Sequence, residues 1–384
     1  MPISFLPRYK ITPKVATCLM RIEAVKERTM HMPLAPKVLA NLRETARLYT
    51  THYSTMIEGN RLNPSQIESV LLGLDQKRAD QDVINNHKGH FPGRERDERE
   101  VRGYYAALMQ VEKWAAQGAV ISEKMIQGLH ALVMSDGRKN SKFSTYRDGQ
   151  NVIKDSRTGA IVYMPPEAKD VSDLMDRMID WVKLSQKQVV PCPIVAGIVH
   201  YQFATIHPYY DGNGRTARLL TTLILHMGGY DLKGLYSLEE YYARHLTAYY
   251  DAISVGNSHN YYMGRAEADI TKWVEYFVEG MAIACENVLS RMAQASVPGM
   301  LDHSLMLKSI DPRQRKVLSL FDEFEVVTAK QIGSVFGFAP RTISQICKQW
   351  VQDGFLEIVD ASNKARSYKL AKEHEALLSK NNHM

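Results

Sequence analysis

The stretch that most constrains the fold of this 384-residue chain is "HPYYDGNGRTAR", residues 207 to 218. An apolar run, "PIVAGIVHYQFATI", indicates a helix that ends just before His207. The turn "GNG" then starts a second apolar helix, "RTARLLTTLILHM", since glycine favours the backbone of tight turns. The sequence therefore predicts two helices joined by a short turn that gathers a histidine, an aspartate and two arginines.

These residue types suit phosphate chemistry. A glycine turn that opens a helix exposes backbone N–H groups, and with the helix dipole they form an anion site. Arg215 and Arg218 lie three residues apart on one face, and each guanidinium can hold phosphate oxygens. Asp211 offers a hard oxygen ligand for Mg²⁺. His207 suits general-base work, because the ordinary pKa of histidine is near neutral.

Each fragment alone has an ordinary explanation. "DGNG" is often only a tight turn, and a histidine before proline is more often structural than catalytic. The joint pattern at fixed offsets is more specific. "HPYYDGNGRTAR" resembles the signature of Fic-domain proteins: His, Pro, an aromatic residue, any residue, an acid, Gly-Asn-Gly-Arg, two residues, Arg. Tyr209 stands where most members carry Phe.

The resemblance extends from about residue 35 to 292 and implies a mainly α fold, a Fic-type helical bundle with a β-hairpin flap. It also implies a protein adenylyltransferase that moves AMP from ATP to a Ser, Thr or Tyr hydroxyl of a target protein or of itself. His207 would take the hydroxyl proton and Asp211 would bind Mg²⁺. Arg215 would contact the β-phosphate side, and Arg218 would hold the γ-phosphate.

The implied nucleotide site is larger than the two arginines. The turn would cradle the α- and β-phosphates, and the stretch "YYDAISVGN" resembles the adenine side of the family's pocket. Another nucleotide or phosphocholine as the donor stays open. The expected nucleotide-binding residues are Gly212, Asn213, Gly214, Arg215, Thr216, Ala217, Arg218, Tyr241, Tyr250 and Asn257.

A second motif lies far upstream. "STMIEGN", residues 54 to 60, resembles the inhibitory motif of the family, with Ser54 and Glu58 at the matching positions. A Glu58–Arg218 pair would take the arginine from the γ-phosphate and put negative charge in its place. In some relatives the same glutamate supports removal of AMP. The plain alternative is a solvated helix end.

The run "NVIKDSRTGAIVYM" predicts a hairpin, within residues 152 to 164, that resembles the family's flap. An exposed strand edge there would pair with a target segment by β-augmentation. An ordinary surface hairpin is equally compatible with the sequence.

The C-terminal part predicts three helices and a strand pair, which together resemble a winged helix-turn-helix. A recognition helix from Pro340 would offer Arg341, Thr342, Ser344, Gln345 and Lys348. Nine Lys or Arg against seven Asp or Glu between residues 311 and 370 give a net charge of +2, which suits a protein contact as well as DNA. The alternative function is therefore a DNA-binding transcriptional regulator with the Fic core as a nucleotide sensor.

The expected organisation has four parts. Residues 1–110 form an N-terminal helical region that contains an inhibitory helix (about 35–60), and residues 111–292 form the Fic core. A linker, 293–311, leads to a winged helix-turn-helix, 312–384. Within these parts we expect Asn63 to cap a helix that Gly73 ends, and we expect "LEEYYARHLTAYYDAISVGN" to form one helix.

Composition narrows the environment. The chain is 45% hydrophobic and 23% charged with a net charge of +6, an ordinary globular balance that permits an acidic partner without demanding one. Four cysteines lack metal or redox spacing, and neither a signal peptide nor a membrane-spanning run is evident. We expect a cytoplasmic protein without a membrane partner, and dimers, as in relatives. The pattern of a P-loop is missing from the sequence.

Overall fold

The computed structural model describes residues 5–32, 34, 36–79, 90–137, 142–154, 158–256, 258–295, 310–336, 340–360, 362 and 366–377. The chain divides into two compact units, residues 1–296 and 297–384. Among the described residues, no helix has both the length and the apolar composition that a membrane crossing requires.

The first unit is built mainly from helices, with one short hairpin. The helices are α1 (Pro13–His31), α2 (Pro36–Ile57), α3 (Pro64–Ala79), α4 (Glu95–Ala116), α5 (Glu123–Met134), α6 (Ala168–Lys187), α7 (Cys192–Ile206), α8 (Asn213–Met227), α9 (Glu239–Arg244), α10 (Leu246–Ile253) and α11 (Thr271–Ala295).

The centre of this unit is α7, in which nearly every side chain is buried. It packs against α8, α6 and α11, while α4 and α5 cover the other side of α8. Gly197 lets α11 approach closely, since an added Cβ would lie only 2.8 Å from the ring of Phe277. The turn between α7 and α8 is thus fixed by two helices that lie in the core.

The first helix, α1, was absent from the sequence-based predictions, although its signals are ordinary. Thr12 accepts a hydrogen bond from the Val15 N–H, and Pro13 stands in the first turn. Its buried residues recur at helical spacing and pack against α11. They are Val15, Cys18, Ile22, Val25 and Thr29.

The predicted ends of α2 and α3 have different outcomes. Gly59 follows α2 with a φ of 89°, the left-handed backbone expected of a C-terminal glycine. Asn63 and Gln66 cap α3 reciprocally, at 2.9 and 3.0 Å, as the cap prediction requires. The prediction that Gly73 ends α3 is wrong, because the helix continues to Ala79. A glycine within a helix costs only about 1 kcal/mol, which neighbouring turns can outweigh.

The predicted single helix over residues 238–257 is also interrupted. Its backbone leaves the helical region at His245, where φ is −124° and ψ is 42°, so that α9 and α10 are separate helices. Apolar periodicity does not report such a break, since both segments bury one face in the same core.

The predicted hairpin is present as strands β1 (Ile153–Lys154) and β2 (Ile161–Tyr163), which pair antiparallel. Met164, the residue that follows β2, is also hydrogen-bonded to residues 259–261. The Met164 N–H donates to the His259 carbonyl at 2.7 Å, and the Met164 carbonyl accepts from the Tyr261 N–H at 3.0 Å.

Within its described residues, the second unit has three α-helices and a three-stranded antiparallel sheet in the order β3-β5-β4. Its elements are α12 (Pro312–Glu323), β3 (Val327–Thr328), α13 (Ala329–Phe336), α14 (Pro340–Gln352), β4 (Leu356–Asp360) and β5 (Ser367–Leu370). Trp350 and Phe355 lie in its own hydrophobic core. The short strand β3 was not predicted.

Gly103 in α4 provides a test of the packing around the site. An added Cβ would collide with the backbone carbonyls of Ser135, Val133 and Leu132 at the end of α5. Because backbone cannot rotate away, we expect Gly103→Ala to lower the free energy of unfolding by about 1–3 kcal/mol, measured by urea denaturation. Gly128→Ala, whose Cβ meets the flexible ring of Phe143 at 3.1 Å, is the matched control. Equal stability of the two variants would contradict this account.

Candidate active site

The loop between α7 and α8 holds its shape by a local hydrogen-bonded ring. His207 ends α7 in the left-handed region, with φ 52°, and Gly212 returns the chain into α8 with φ 76°. The Asn213 amide accepts from the Tyr209 N–H at 3.0 Å and donates to the Tyr209 carbonyl at 2.7 Å. The side chain of Asn213 therefore braces the turn, leaving only its backbone for a ligand.

Beneath this loop lies His130 of α5. Its ring stacks on Tyr209 with centroids 3.6 Å apart. Its Nε2 donates to the Asp211 carbonyl at 2.9 Å, and its Nδ1 accepts from the Ser144 hydroxyl at 2.7 Å. Burial lowers the pKa of His130 to about 4, so the neutral ring that these contacts require is stable at neutral pH. Sequence reasoning missed this residue, and no local signal marks it.

A second support that the sequence did not reveal is Arg147, which is almost fully buried. Its Nε donates to the His207 carbonyl at 3.0 Å, and its backbone N–H donates to the Pro208 carbonyl at 2.9 Å. The same guanidinium donates to the carbonyls of Gly149 and Pro166, which flank the hairpin. Arg147 thus fastens both ends of the hairpin segment to the loop that carries His207.

The side chain of His207 is arranged as a neutral base. Desolvation lowers its pKa to about 4, against the opposing effect of the Ala204 carbonyl; the positive charge of Arg147 lowers it further. Nδ1 faces the Ala204 carbonyl at 3.4 Å, a contact in which Nδ1 carries the proton. Nε2 is then the nitrogen with a free lone pair.

The carboxylate of Asp211 lies beside the start of α8 and is 59% exposed. Its Oδ1 accepts from the Gly212 N–H at 2.6 Å and lies 3.4 Å from an Arg215 nitrogen. Among the described residues, no group of three or more His, Cys, Asp or Glu side chains is placed to hold a metal ion. A Mg²⁺ ion held by one carboxylate, phosphate oxygens and water fits this arrangement.

The guanidinium of Arg218 is buried, with 2% of the residue exposed. Its Nε donates to the Ser54 hydroxyl at 2.8 Å, and one terminal nitrogen donates to the Ser54 carbonyl at 2.9 Å. The same nitrogen lies 2.8 Å from the Glu58 carboxylate. The upstream motif and the arginine, 160 residues apart, therefore meet in one ion pair.

The Glu58 carboxylate also covers the start of α8. A Cβ placed on Gly214 would collide with the Oε1 atom of Glu58 and lie 3.2 Å from an Arg218 nitrogen. The first N–H groups of a helix have no partner within it and attract anions. Glu58 thus stands where the helix N-terminus and Arg218 would otherwise meet an anionic ligand.

The other residues in the first turns of α8 differ in their burial and in their hydrogen bonds. Arg215 is 2% exposed, and its Nε has no hydrogen-bond partner in the structure. Thr216 is fully buried with an unpartnered hydroxyl. Ala217 lies in the hydrophobic core, and its carbonyl accepts from the Thr221 hydroxyl at 2.8 Å. The side chain of Ala217 is therefore directed away from any ligand.

Tyr250 lies near the ion pair. Burial raises the pKa of its phenol, and the negative charge of Glu58 raises it further. Its side chain remains about half exposed, which leaves the ring available at the edge of the site. Asn257 is outside the residues that the structure describes.

Tyr241 lies beside α11. Its ring lies 4.6 Å from the His245 ring and packs over Gly280 of α11. Together with α11 it lines a separate cleft of about 380 Å³. A contact of Tyr241 with adenine stays a prediction.

Comparison with known proteins places similarity in the region of the α7–α8 loop. Residues 120–225 match the Fic/DOC family. Protein adenylyltransferase Fic of Drosophila mojavensis is 26% identical over 204 residues, which are 51% of this chain and 35% of the relative. The protein of the same name from Culex quinquefasciatus is 24% identical over 250 residues, 63% of this chain and 41% of the relative. The chain thus spans little more than a third of the length of these curated relatives.

Solved structures share the fold. A Fic family protein from Desulfovibrio desulfuricans G20 covers 96% of this chain and 99% of its own, with a TM-score of 0.57 and 23% identity. Fic-1 of C. elegans (residues 134–508) covers 73% of this chain and 74% of its own, with a TM-score of 0.54 and 21% identity. The first unit is therefore a mainly helical Fic-type fold.

Histidines whose pKa values are lowered by burial make stability depend on pH, among them His130 and His200. Burial lowers the pKa of His130 to about 4 and of His200 to about 3, against 6.5 in the unfolded chain. Between pH 6.5 and about 4 the unfolded state binds more protons. We therefore expect the free energy of unfolding to fall with falling pH, by up to about 1.4 kcal/mol per pH unit for each histidine.

Urea denaturation at several pH values between 7 and 5 measures this dependence. His200→Gln is the informative variant, because it should reduce the slope by the share of that one histidine, up to about 1.4 kcal/mol per pH unit, whatever it does to stability at pH 7. An unchanged slope in that variant would contradict the assignment.

Proposed function

Because the chain carries a Fic domain and its matched relatives are named protein adenylyltransferases, we propose that it transfers AMP from ATP to a protein hydroxyl and is inhibited by Glu58. The observation that carries the proposal is the Glu58–Arg218 ion pair over the start of α8. A buried arginine and a helix N-terminus form an anion site, and an acid of the same chain fills it.

In the proposed reaction the hydroxyl oxygen of a Ser, Thr or Tyr side chain attacks the α-phosphorus of ATP. A new bond forms between the hydroxyl oxygen and the α-phosphorus. The bond from the α-phosphorus to the oxygen that bridges to the β-phosphate breaks, and pyrophosphate leaves. His207 accepts the hydroxyl proton at Nε2, the nitrogen left free by the contact of Nδ1 with Ala204. A low pKa keeps the base unprotonated before substrate binds.

The phosphates would lie along the start of α8. Backbone N–H groups at Asn213 and Gly214 would meet the α- and β-phosphates. Arg215, whose Nε lacks a partner, has capacity for the β-phosphate side, and Arg218 would hold the γ-phosphate once Glu58 withdraws. Mg²⁺ bound at Asp211 would neutralise phosphate charge when present.

Inhibition follows from charge and position. Glu58 neutralises Arg218 and occupies the space above Gly214, so a γ-phosphate would meet a carboxylate instead of a free guanidinium. Like charges a few ångströms apart in a partly buried site repel strongly. Once ATP has reacted, the same carboxylate would orient a water for removal of AMP, a second activity that we include in the proposal.

The hairpin would receive the target protein. The segment after β2 is bonded to residues 259–261, which leaves β1 as the edge on which a target strand could add by backbone hydrogen bonds. Ile161 and Val162 are exposed beside it and would contact apolar side chains of the target.

Self-labelling with α-phosphate-labelled ATP and Mg²⁺ tests the enzyme and its inhibition together. We expect Glu58→Gly to raise labelling by about tenfold or more, since that corresponds to only about 1.4 kcal/mol of the barrier. Adding His207→Ala should abolish it. Glu58→Gln, which keeps the size and removes the charge, should lie between wild type and Glu58→Gly if charge matters.

The outcomes separate the parts of the proposal. Equal labelling of wild type and Glu58→Gly would contradict inhibition and leave the transferase. No labelling in any variant, with ATP binding intact, would contradict the transferase and favour another donor. After ATP is removed, label that is lost from the protein with Glu58 but retained by Glu58→Gly would support AMP removal.

A second candidate concerns the C-terminal unit, for which we propose DNA binding through α14. The five polar residues expected on its outer face are all exposed: Arg341, Thr342, Ser344, Gln345 and Lys348. Phosphate contacts make DNA affinity strongly salt-dependent.

A gel-shift titration with duplex DNA at 50 and 200 mM salt tests this candidate. We expect Arg341→Ala combined with Lys348→Ala to weaken binding and to lower the salt slope by about two, the number of phosphate contacts removed. Binding that ignores both changes would contradict a DNA-binding face on α14.

A further inference from the structure

A buried carboxylate, Glu100 of α4, lies beside the site and belongs to neither motif. It is 8% exposed. Its Oε1 accepts from the Arg96 Nε at 3.0 Å and lies 3.9 Å from a terminal nitrogen of Arg215. Its Oε2 accepts from the Asn60 amide at 3.2 Å. One carboxylate therefore faces both the arginine of the phosphate site and the chain that leads out of α2.

Asn60 anchors the end of the helix that carries Glu58. Its Nδ2 donates to the Asp97 carbonyl at 2.9 Å as well as to Glu100, and its Oδ1 accepts from the Leu62 N–H at 3.1 Å. Its own N–H donates to the Thr55 carbonyl at 3.1 Å. Only Gly59 separates Asn60 from Glu58. The contacts of Asn60 with α4 therefore fix the position of Glu58 relative to the start of α8.

Arg215 is held more loosely. Its contacts with Asp211 and Glu100, at 3.4 and 3.9 Å, are both long, and its Nε has no partner. A buried guanidinium with unused donors is able to bind phosphate oxygens without breaking a tight ion pair. Glu100 then serves as the fixed negative charge that keeps this arginine at the start of α8.

We propose that Glu100 is a positioning residue with two separable effects: through Asn60 it holds Glu58 in the inhibitory position, and through Arg215 it orients the phosphate site. This inference rests on the proposed function and deepens it. Glu100 would act only through Asn60 and Arg215 and touches no reacting atom.

The test uses two variants with different expected signatures. Asn60→Asp keeps the acceptor for Leu62 and puts a carboxylate against Glu100, which should free the end of α2. Self-labelling should rise about fivefold or more, a usual size for coupling between sites, and Asn60→Asp should have no effect when Glu58→Gly is already present. Glu100→Gln, made in the Glu58→Gly protein, should raise the KM for ATP about fivefold with less change in kcat.

Glu112→Gln is the matched control. Glu112 also joins α4 to α2, through a two-bond pair with Arg47 at 2.9 and 2.6 Å, and it lies three turns further along α4. Glu112→Gln should loosen the contact between α2 and α4 without a change at Arg215. It should therefore alter neither self-labelling nor the KM for ATP. Thermal unfolding of each variant verifies that it is folded, and Asn60→Ala replaces Asn60→Asp if the latter is not.

Three results would overturn the proposal: no rise in labelling for a folded Asn60 variant, an equal rise for Glu112→Gln, or an unchanged KM for Glu100→Gln. If Glu58→Gly itself shows no labelling, the transferase proposal fails separately. In that case the affinity for ATP, measured by calorimetric titration, tests the positioning role of Glu100. Tighter ATP binding by Asn60→Asp and weaker binding by Glu100→Gln would support its positioning role, and unchanged affinities would overturn it.

Discussion

The burial of the Arg218 guanidinium is the constraint on which the rest of the site depends. Removing a charge from water inside a helical bundle costs free energy unless hydrogen-bond acceptors and an opposite charge compensate for it. Ser54 and Glu58 provide these acceptors from the end of α2. Docking of α2 and satisfaction of Arg218 are therefore one event, and any ligand that replaces Glu58 must itself be anionic.

The loop that precedes α8 shows how a bundle of helices holds a non-helical segment rigid. Neither His207 nor Gly212 has helical backbone angles, and the chain between them cannot use the hydrogen bonds of a helix. His130 of α5 and Arg147, next to the hairpin, replace those bonds. Because both donate to backbone carbonyls, they fix the position of the loop, and the charge of Arg147 also lowers the pKa of His207.

Much of the helical fold was predictable, because helices report themselves through local spacing, caps and glycines. The end of α2 at Gly59 and the start of α3 at Asn63 follow from such signals. The failures were also local. Gly73 does not end α3, and His245 breaks a helix that the apolar pattern shows as continuous. Neither position is decided by a local propensity of about 1 kcal/mol or less.

The sequence by itself determined the constellation of His207, Asp211, Arg215 and Arg218, since a turn and the first turns of one helix hold them within twelve positions. Covalent connection and helical geometry fix their relative places almost without help from the fold. Only the tertiary structure decided that Glu58 lies over Gly214, that Arg147 holds the loop, that Glu100 faces Arg215 and that Tyr241 packs over Gly280. These contacts join segments far apart in the chain, and their existence depends on how whole helices pack, which no local pattern of residues specifies.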